Sequence, residues 1–112
     1  MDIVFKSGSL ERECNDFKLL TKRHGSRRAN LIGKRLFEIS AASVLADLAK
    51  LPQARCHELK GNRKGQLALS LDGAYRLIIR PADKPVPVKP DGGLDWTKVT
   101  AVEILGVEDY HG

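Results

Sequence analysis

The chain has 112 residues, 19 lysines and arginines, 14 aspartates and glutamates, and a formal net charge of +5. That length suits one domain over residues 1–112, and 42% hydrophobic with 29% charged residues is ordinary globular usage that does not predict disorder. No apolar run approaches the roughly 18 residues of a membrane span, and the opening MDIVFKSGSL lacks the apolar core of a signal peptide, so the expected place is the cytoplasm.

Residues 2–5 (DIVF) read as a short opening strand. Ser9 is the expected N-cap of a helix starting at Leu10. Leu10, Cys14 and Phe17 then fall at i, i+4 and i+7 on one buried face. Asn15-Asp16 interrupts this stretch, His24-Gly25 ends it with Gly25 at C′, and Ser26 caps the next helix. Ala29, Ile32, Leu36 and Ile39 share one apolar face of that helix. Arg28 and Arg35 border the face, with Arg27 and Lys34 further round. A short helix from Ser43 to Lys50 stops before Pro52.

Beyond Pro52 the period changes from helical to alternating. Residues 56–60 (CHELK) read as a strand and Gly61 to Gly65 as a turn. Leu67, Leu69 and Leu71 alternate with Ala68 and Ser70 as in a half-buried strand. Asp72-Gly73 signals a hairpin, with Tyr75 to Arg80 as the returning strand. Residues 81–93 hold four of the five prolines and two glycines, and form a loop that is long for a compact domain. Val99 to Val107 is the last strand. Helices first and strands afterwards predict an α+β domain, with N-terminal helices packed on a small twisted antiparallel sheet.

Charge is unevenly placed along these elements. Residues 1–80 carry 16 basic and 8 acidic side chains, whereas residues 81–112 carry 3 and 6. Lys18 to Arg35 holds seven basic residues and no acid. Such a run, with Arg27 and Arg28 inside it, is a solvated helix face, a grip on nucleic acid or a seat for an acidic protein.

Reactive side chains concentrate in three places. Lys60, Arg63 and Lys64 sit in one turn after His57; they are either soluble turn residues or cations gathered around a phosphate. Arg76 and Arg80 point to one side of their strand, where each is either solvated or positioned for bidentate phosphate contact. The segment Asp109-Tyr110-His111 is either a frayed tail or a group that positions and moves protons, since histidine serves as acid or base near neutrality. No metal site is expected: Cys14, Cys56, His57 and His111 lack ligand spacing, and both cysteines are expected as free thiols.

The run Leu51-Pro52, Cys56-His57-Glu58-Leu59-Lys60-Gly61-Asn62-Arg63-Lys64-Gly65, then Gly73-Ala74-Tyr75-Arg76-Leu77-Ile78, then Val102-Glu103-Ile104 and Glu108-Asp109-Tyr110-His111 resembles HigB-type toxins of the RelE/ParE superfamily, also labelled plasmid-maintenance killer proteins. The match is dense over residues 51–80 and 99–111, and one of layout in the helical half. The resemblance implies a RelE-like fold and a ribosome-dependent mRNA endoribonuclease that needs no cofactor. It implies His57, Asp109, Tyr110, His111 and Arg76 as catalytic or positioning residues. Lys60, Arg63, Lys64 and Arg80 are implied as phosphate contacts. The partners it implies are the ribosome, mRNA and a helix-turn-helix, HigA-like antitoxin, through which alone operator DNA is reached. The Pro-rich loop departs from the family's compact members by its length. Two other functions fit the superfamily: a ParE-like inhibitor of DNA gyrase, which needs no acid–base pair, and an inactive interaction module.

Overall fold

A computed structural model of the chain describes residues 1–110. Strand β1 (Asp2–Phe5) leads into helices α1 (Gly8–Cys14) and α2 (Phe17–Ala41). A 3₁₀ turn at Leu45–Lys50 follows. Strand β2 (His57–Glu58), a second 3₁₀ turn at Gly61–Arg63, and strands β3 (Leu67–Ser70), β4 (Tyr75–Pro81) and β5 (Ala101–Asp109) complete the order. Among the described residues the strands form one five-stranded sheet, β1-β5-β4-β3-β2. Every neighbouring pair is antiparallel except β1 with β5, which is parallel. The α+β class holds, while the wholly antiparallel sheet is corrected to a mixed one. A parallel pair needs a long crossover, and the helices between β1 and β5 belong to it.

Several local expectations shift for identifiable reasons. Ser7 rather than Ser9 caps α1, its hydroxyl accepting from the Leu10 N–H at 3.1 Å. Asp16 starts α2 with its own cap, accepting from Lys18 N and Leu19 N. That restart resets the helical phase, so Phe17 is 54% exposed instead of joining Leu10 and Cys14. Gly25 carries φ 80° and ψ 160° inside α2, so the expected break survives as a kink within one helical run. A positive φ there suits glycine, which has no Cβ to clash.

The helix side of the sheet holds the main core. Ile39 of α2 and Leu45 and Leu48 pack on Leu67, Leu69, Leu77, Ile79, Val102 and Ile104, all with no exposed surface. Each such side chain contributes about 1.5–3 kcal/mol relative to leaving it in water. Strand β3 was expected to be half buried, yet all four of its residues are buried. Leu67 and Leu69 face the helices, while Leu59 packs on Ala68 and Ile78 from the opposite side. The strand expected over 56–60 shrinks to two residues because Lys60 begins the 3₁₀ turn that carries the chain away. Strand β5 runs two residues later than expected: the Asp83 carboxylate accepts from the Thr100 and Ala101 N–H groups and holds the loop end in place.

Arg35 is the polar pin of this architecture. It is 4% exposed and donates Nε to Ser70 O at 2.8 Å, Nη2 to Gln53 O at 3.0 Å and Nη1 to Glu38 Oε1 at 2.9 Å. One guanidinium thereby joins α2, β3 and the segment before β2.

Candidate active site

Residues directly opposed on neighbouring strands share a face of the sheet. His57 is in register with Ala68, Ala68 with Ile78, and Ile78 with Gly106. His57 therefore stands over the face away from the helices, two strand spacings or about 10 Å from the β4 backbone. Arg76 and Arg80 lie two residues either side of Ile78 and share that face. The turn after β2 bends over it. Leu59 packs on Ile78, and Arg63 reaches Glu108 on β5. Strand geometry and one turn thus bring His57, Arg63, Arg76 and Arg80 to a common surface.

A bulge in β5 decides which tail residue joins them. Ile79 pairs with Ile104 but Ile78 pairs with Gly106, so Leu105 has no partner opposite. The extra residue reverses the in–out order of everything after it. Glu108 now opposes Arg76, and Tyr110 lies beyond it on the same face, against Leu59, Ala68 and Ile78. Asp109 opposes Tyr75, whose ring lies under the Arg28 guanidinium of α2 at 3.3 Å. The structure thus separates Asp109 from Tyr110, placing them on opposite faces. His111 lies outside the described residues.

The cations differ in how free they are. Arg63 is paired on two sides: Nη1 and Nη2 donate to the two Glu108 carboxylate oxygens at 2.7 and 2.8 Å, and Nε and Nη2 donate to Gln66 Oε1. Its guanidinium also sits 5.8 Å from the Tyr110 ring. Arg80 donates to Glu103 at 2.6 Å. Arg76 donates Nη1 to the carbonyls of Gly73 and Tyr75 and makes no ion pair among the described residues. Lys60 and Lys64 are exposed and likewise make no ion pair there.

The basic helical run divides in the same way. Arg28 is bound bidentately by Asp72 at 2.8 and 3.1 Å, Arg23 lies 3.2 Å from Glu13, and Arg35 is the buried pin. Lys18, Lys22, Arg27 and Lys34 are left as exposed cations without ion pairs among the described residues. The expected nucleic-acid role of Arg28 therefore meets a competing structural one.

His57 carries a further detail. Its Nδ1 lies 2.9 Å from Arg55 O, and a carbonyl oxygen can only accept, so Nδ1 is the protonated nitrogen. In the neutral ring Nε2 then keeps its lone pair and is available as a base. The cysteines offer no competing nucleophile: burial pushes the Cys14 thiol up to about 11 and the Cys56 thiol to about 12. Both stay protonated at neutral pH. Among the described residues no group of three His, Cys, Asp or Glu is placed to hold a metal ion, and no helix is long and apolar enough to cross a membrane.

Comparison with solved structures fixes the architecture. A YoeB/ParE toxin from Agrobacterium tumefaciens superposes with a TM-score of 0.54 at 13% identity, covering 100% of both chains. The YoeB dimer from Staphylococcus aureus gives 0.55 at 16% identity, covering 100% of this chain and 98% of that one. A YoeB-YefM complex from the same organism gives 0.54 at 16% identity with the same coverage. This chain shares the fold of these YoeB/ParE structures. The RelE-like architecture expected above is therefore its own, although no protein-family model and no curated protein matches the sequence.

Within this fold, sequence reasoning missed the carboxylates that occupy the arginines. Glu108, Glu103 and Asp72 were not among the expected site residues. The signal for one of them was available: once Tyr75 to Arg80 pairs antiparallel with the last strand, Glu103 can fall opposite Arg80, whereas Glu108 comes opposite Arg76 only through the bulge at Leu105.

These pairs also set the acid response of the fold. Hydrogen bonding from Arg28 holds Asp72 below its ordinary 3.8, and hydrogen bonding from Arg63 holds Glu108 below its ordinary 4.5. A depressed carboxylate stabilises the fold at pH above its unfolded value, and that contribution is lost as pH falls through the folded value. The urea midpoint should therefore be flat above pH 5 or so and fall from about 4.5 downward, and Arg28→Gln should shallow the fall. An Arg28→Gln variant with an unchanged acid slope would dismiss Asp72 as a contributor.

Proposed function

We propose that the protein is the toxin of a type II toxin–antitoxin pair, of HigB type, and that it cleaves mRNA on the ribosome. The observation that carries this reading is His57: a base with Nε2 left available, on the same sheet face as Arg76 and beside a turn bearing Lys60, Arg63 and Lys64. The shared fold with YoeB/ParE toxins supports the toxin half of the reading.

RNA supplies its own nucleophile. His57 Nε2 takes the proton from the 2′-hydroxyl, and that oxygen attacks the adjacent phosphorus. The 5′-oxygen leaves with a proton, given by His111, so the products are a 2′,3′-cyclic phosphate and a 5′-hydroxyl. Arg76 and Lys60 stabilise the charge that gathers on the phosphorane oxygens, and Lys64 contacts the adjacent backbone phosphate. Arg63 joins them once it releases Glu108, and Arg80 once it releases Glu103. Tyr110 positions the nucleotide. Asp109 orients or charge-tunes a histidine, the role the sequence resemblance implies for it. Arg27, with its exposed neighbours on α2, contacts ribosomal RNA, and Arg28 adds to that surface from its seat on Asp72.

An antitoxin partner follows from the same reading; one of the structures sharing the fold is a YoeB-YefM complex. The helix-turn-helix, HigA-like class of that partner rests on the sequence resemblance. Purified protein added to ribosomes programmed with mRNA should yield fragments ending in a cyclic phosphate, and none with naked mRNA at the same concentration. Intact mRNA together with relaxed plasmid would replace this reading by gyrase inhibition. Intact mRNA and unaffected plasmid, with normal growth on induction, would leave an inactive module.

A further inference from the structure

The long Pro-rich loop between β4 and β5 is a built element. Asp83 accepts from Thr100 N, Thr100 Oγ1 and Ala101 N at 2.7–3.1 Å and ties its two ends together. Val88 bridges Leu94 across its middle. Trp96 Nε1 donates to Glu58 Oε2 at 2.8 Å and fastens it to β2. Held this way, the loop leaves Val86 44% and Val88 60% exposed. A groove of about 370 Å³ opens between the loop and the β3–β4 end of the sheet. That volume lies inside the roughly 300–1,000 Å³ usual for small-ligand sites.

The lining has two characters. Val86, Val88 and Leu94 make an apolar wall, and Glu58, Lys64, Gln66 and Arg80 supply polar groups. Lys64 makes no ion pair among the described residues. Gln66 Oε1 is taken by Arg63, which leaves the Gln66 amide N–H groups as donors. Glu58 Oε1 remains an acceptor beside Oε2, which Trp96 occupies. Gln66 also connects the groove to the Arg63–Glu108 pair, and so to the surface that holds His57.

We propose that this groove is a subsite for one nucleotide of single-stranded RNA flanking the phosphate bound on the open sheet face. The base lies against Val86, Val88 and Leu94, its edge meets the Gln66 donors and the Glu58 acceptor, and its phosphate rests on Lys64. The subsite deepens the RNA reading above and rests on it. A peptide is the less favoured occupant. Strand addition needs a long free edge, and β2 offers two residues. A free cation beside mixed donors and acceptors is the dress of a nucleotide site.

The test is direct binding to the ¹⁵N-labelled protein, using short A or U homopolymeric oligoribonucleotides, inorganic phosphate and an apolar peptide as probes. The oligoribonucleotides should move the amides of Gly65, Gln66, Gly92, Gly93 and Leu94 to saturation. Lys64→Ala and Val88→Glu are exposed changes, and unaltered spectra elsewhere will show that both fold. Each should weaken RNA binding by about tenfold, the scale of one lost charged or wall contact. Shifts confined to the α2 cations, the same pattern from phosphate alone, or a response to the peptide and not to RNA would overturn the proposal. The outcome is separable from cleavage. Groove binding with uncut ribosomal mRNA sinks the nuclease reading and keeps the subsite, whereas cut mRNA with silent groove amides does the reverse.

Discussion

Arg35→Ala should lower the unfolding free energy by about 3–5 kcal/mol, read from urea titration, while Arg27→Ala and Lys34→Ala stay within about 0.5 kcal/mol. All three belong to one basic run, so net charge cannot explain the contrast. Arg35 is buried and feeds three acceptors on three different segments: Ser70 O, Gln53 O and Glu38. Its removal leaves two carbonyls and a carboxylate short of donors. Each buried group left unsatisfied costs about 1–3 kcal/mol, more when it is charged. Glu38 keeps one partner, since Gln53 Nε2 donates to its other oxygen at 2.9 Å, and that holds the loss below the sum. An Arg35→Ala protein within 1 kcal/mol or so of the parent would mean that water reaches these acceptors and that the pin is decorative.

The second large effect concerns activity. His57→Ala should cut ribosome-dependent mRNA cleavage by about 10²–10⁴-fold, the usual value of a positioned base, with the urea midpoint unchanged. The side chain is exposed and its one hydrogen bond among the described residues goes to Arg55 O, so the fold loses little with it. His57→Gln is the sharper variant: its amide N–H can keep a bond to Arg55 O, yet it has no proton-accepting nitrogen. If His57→Gln retains full cleavage, His57 is a positioning residue and the base lies elsewhere. A matching loss in His111→Ala would support the paired assignment.

Most of the architecture was legible because periodicity is local. The Ala29, Ile32, Leu36, Ile39 face of α2, the β3–β4 hairpin at Asp72-Gly73 and the opening strand follow from spacing that any neighbour would read alike. What escaped was set by distant partners. Nothing near Asp2 says that β1 will pair with β5, or that it will do so in parallel. Arg28 and Arg35 read as charges bordering the apolar face, but not as held ones, because Asp72 and the carbonyls that hold them come from elsewhere in the chain. Lys60, Lys64 and Arg76, singled out as cations, make no ion pair among the described residues; that Arg63 and Arg80 carry carboxylates depended on distant parts of the chain. The tautomer of His57 depended on a bend at Arg55, whose φ of 47° no motif announces.

The unpartnered Leu105 acts as a parity shift in the last strand. Positions before it and positions after it obey opposite odd–even rules, so a tail copied residue for residue onto a strand without the insertion would present Asp109 on the open sheet face and turn Tyr110 toward the helices. Homologous chains differing by one residue at this point would therefore share a motif on paper and display its mirror order in space. Alignment of the tail alone is a poor guide to which of its side chains reaches the open face; the length between Pro81's partner, Val102, and the tail has to be counted first.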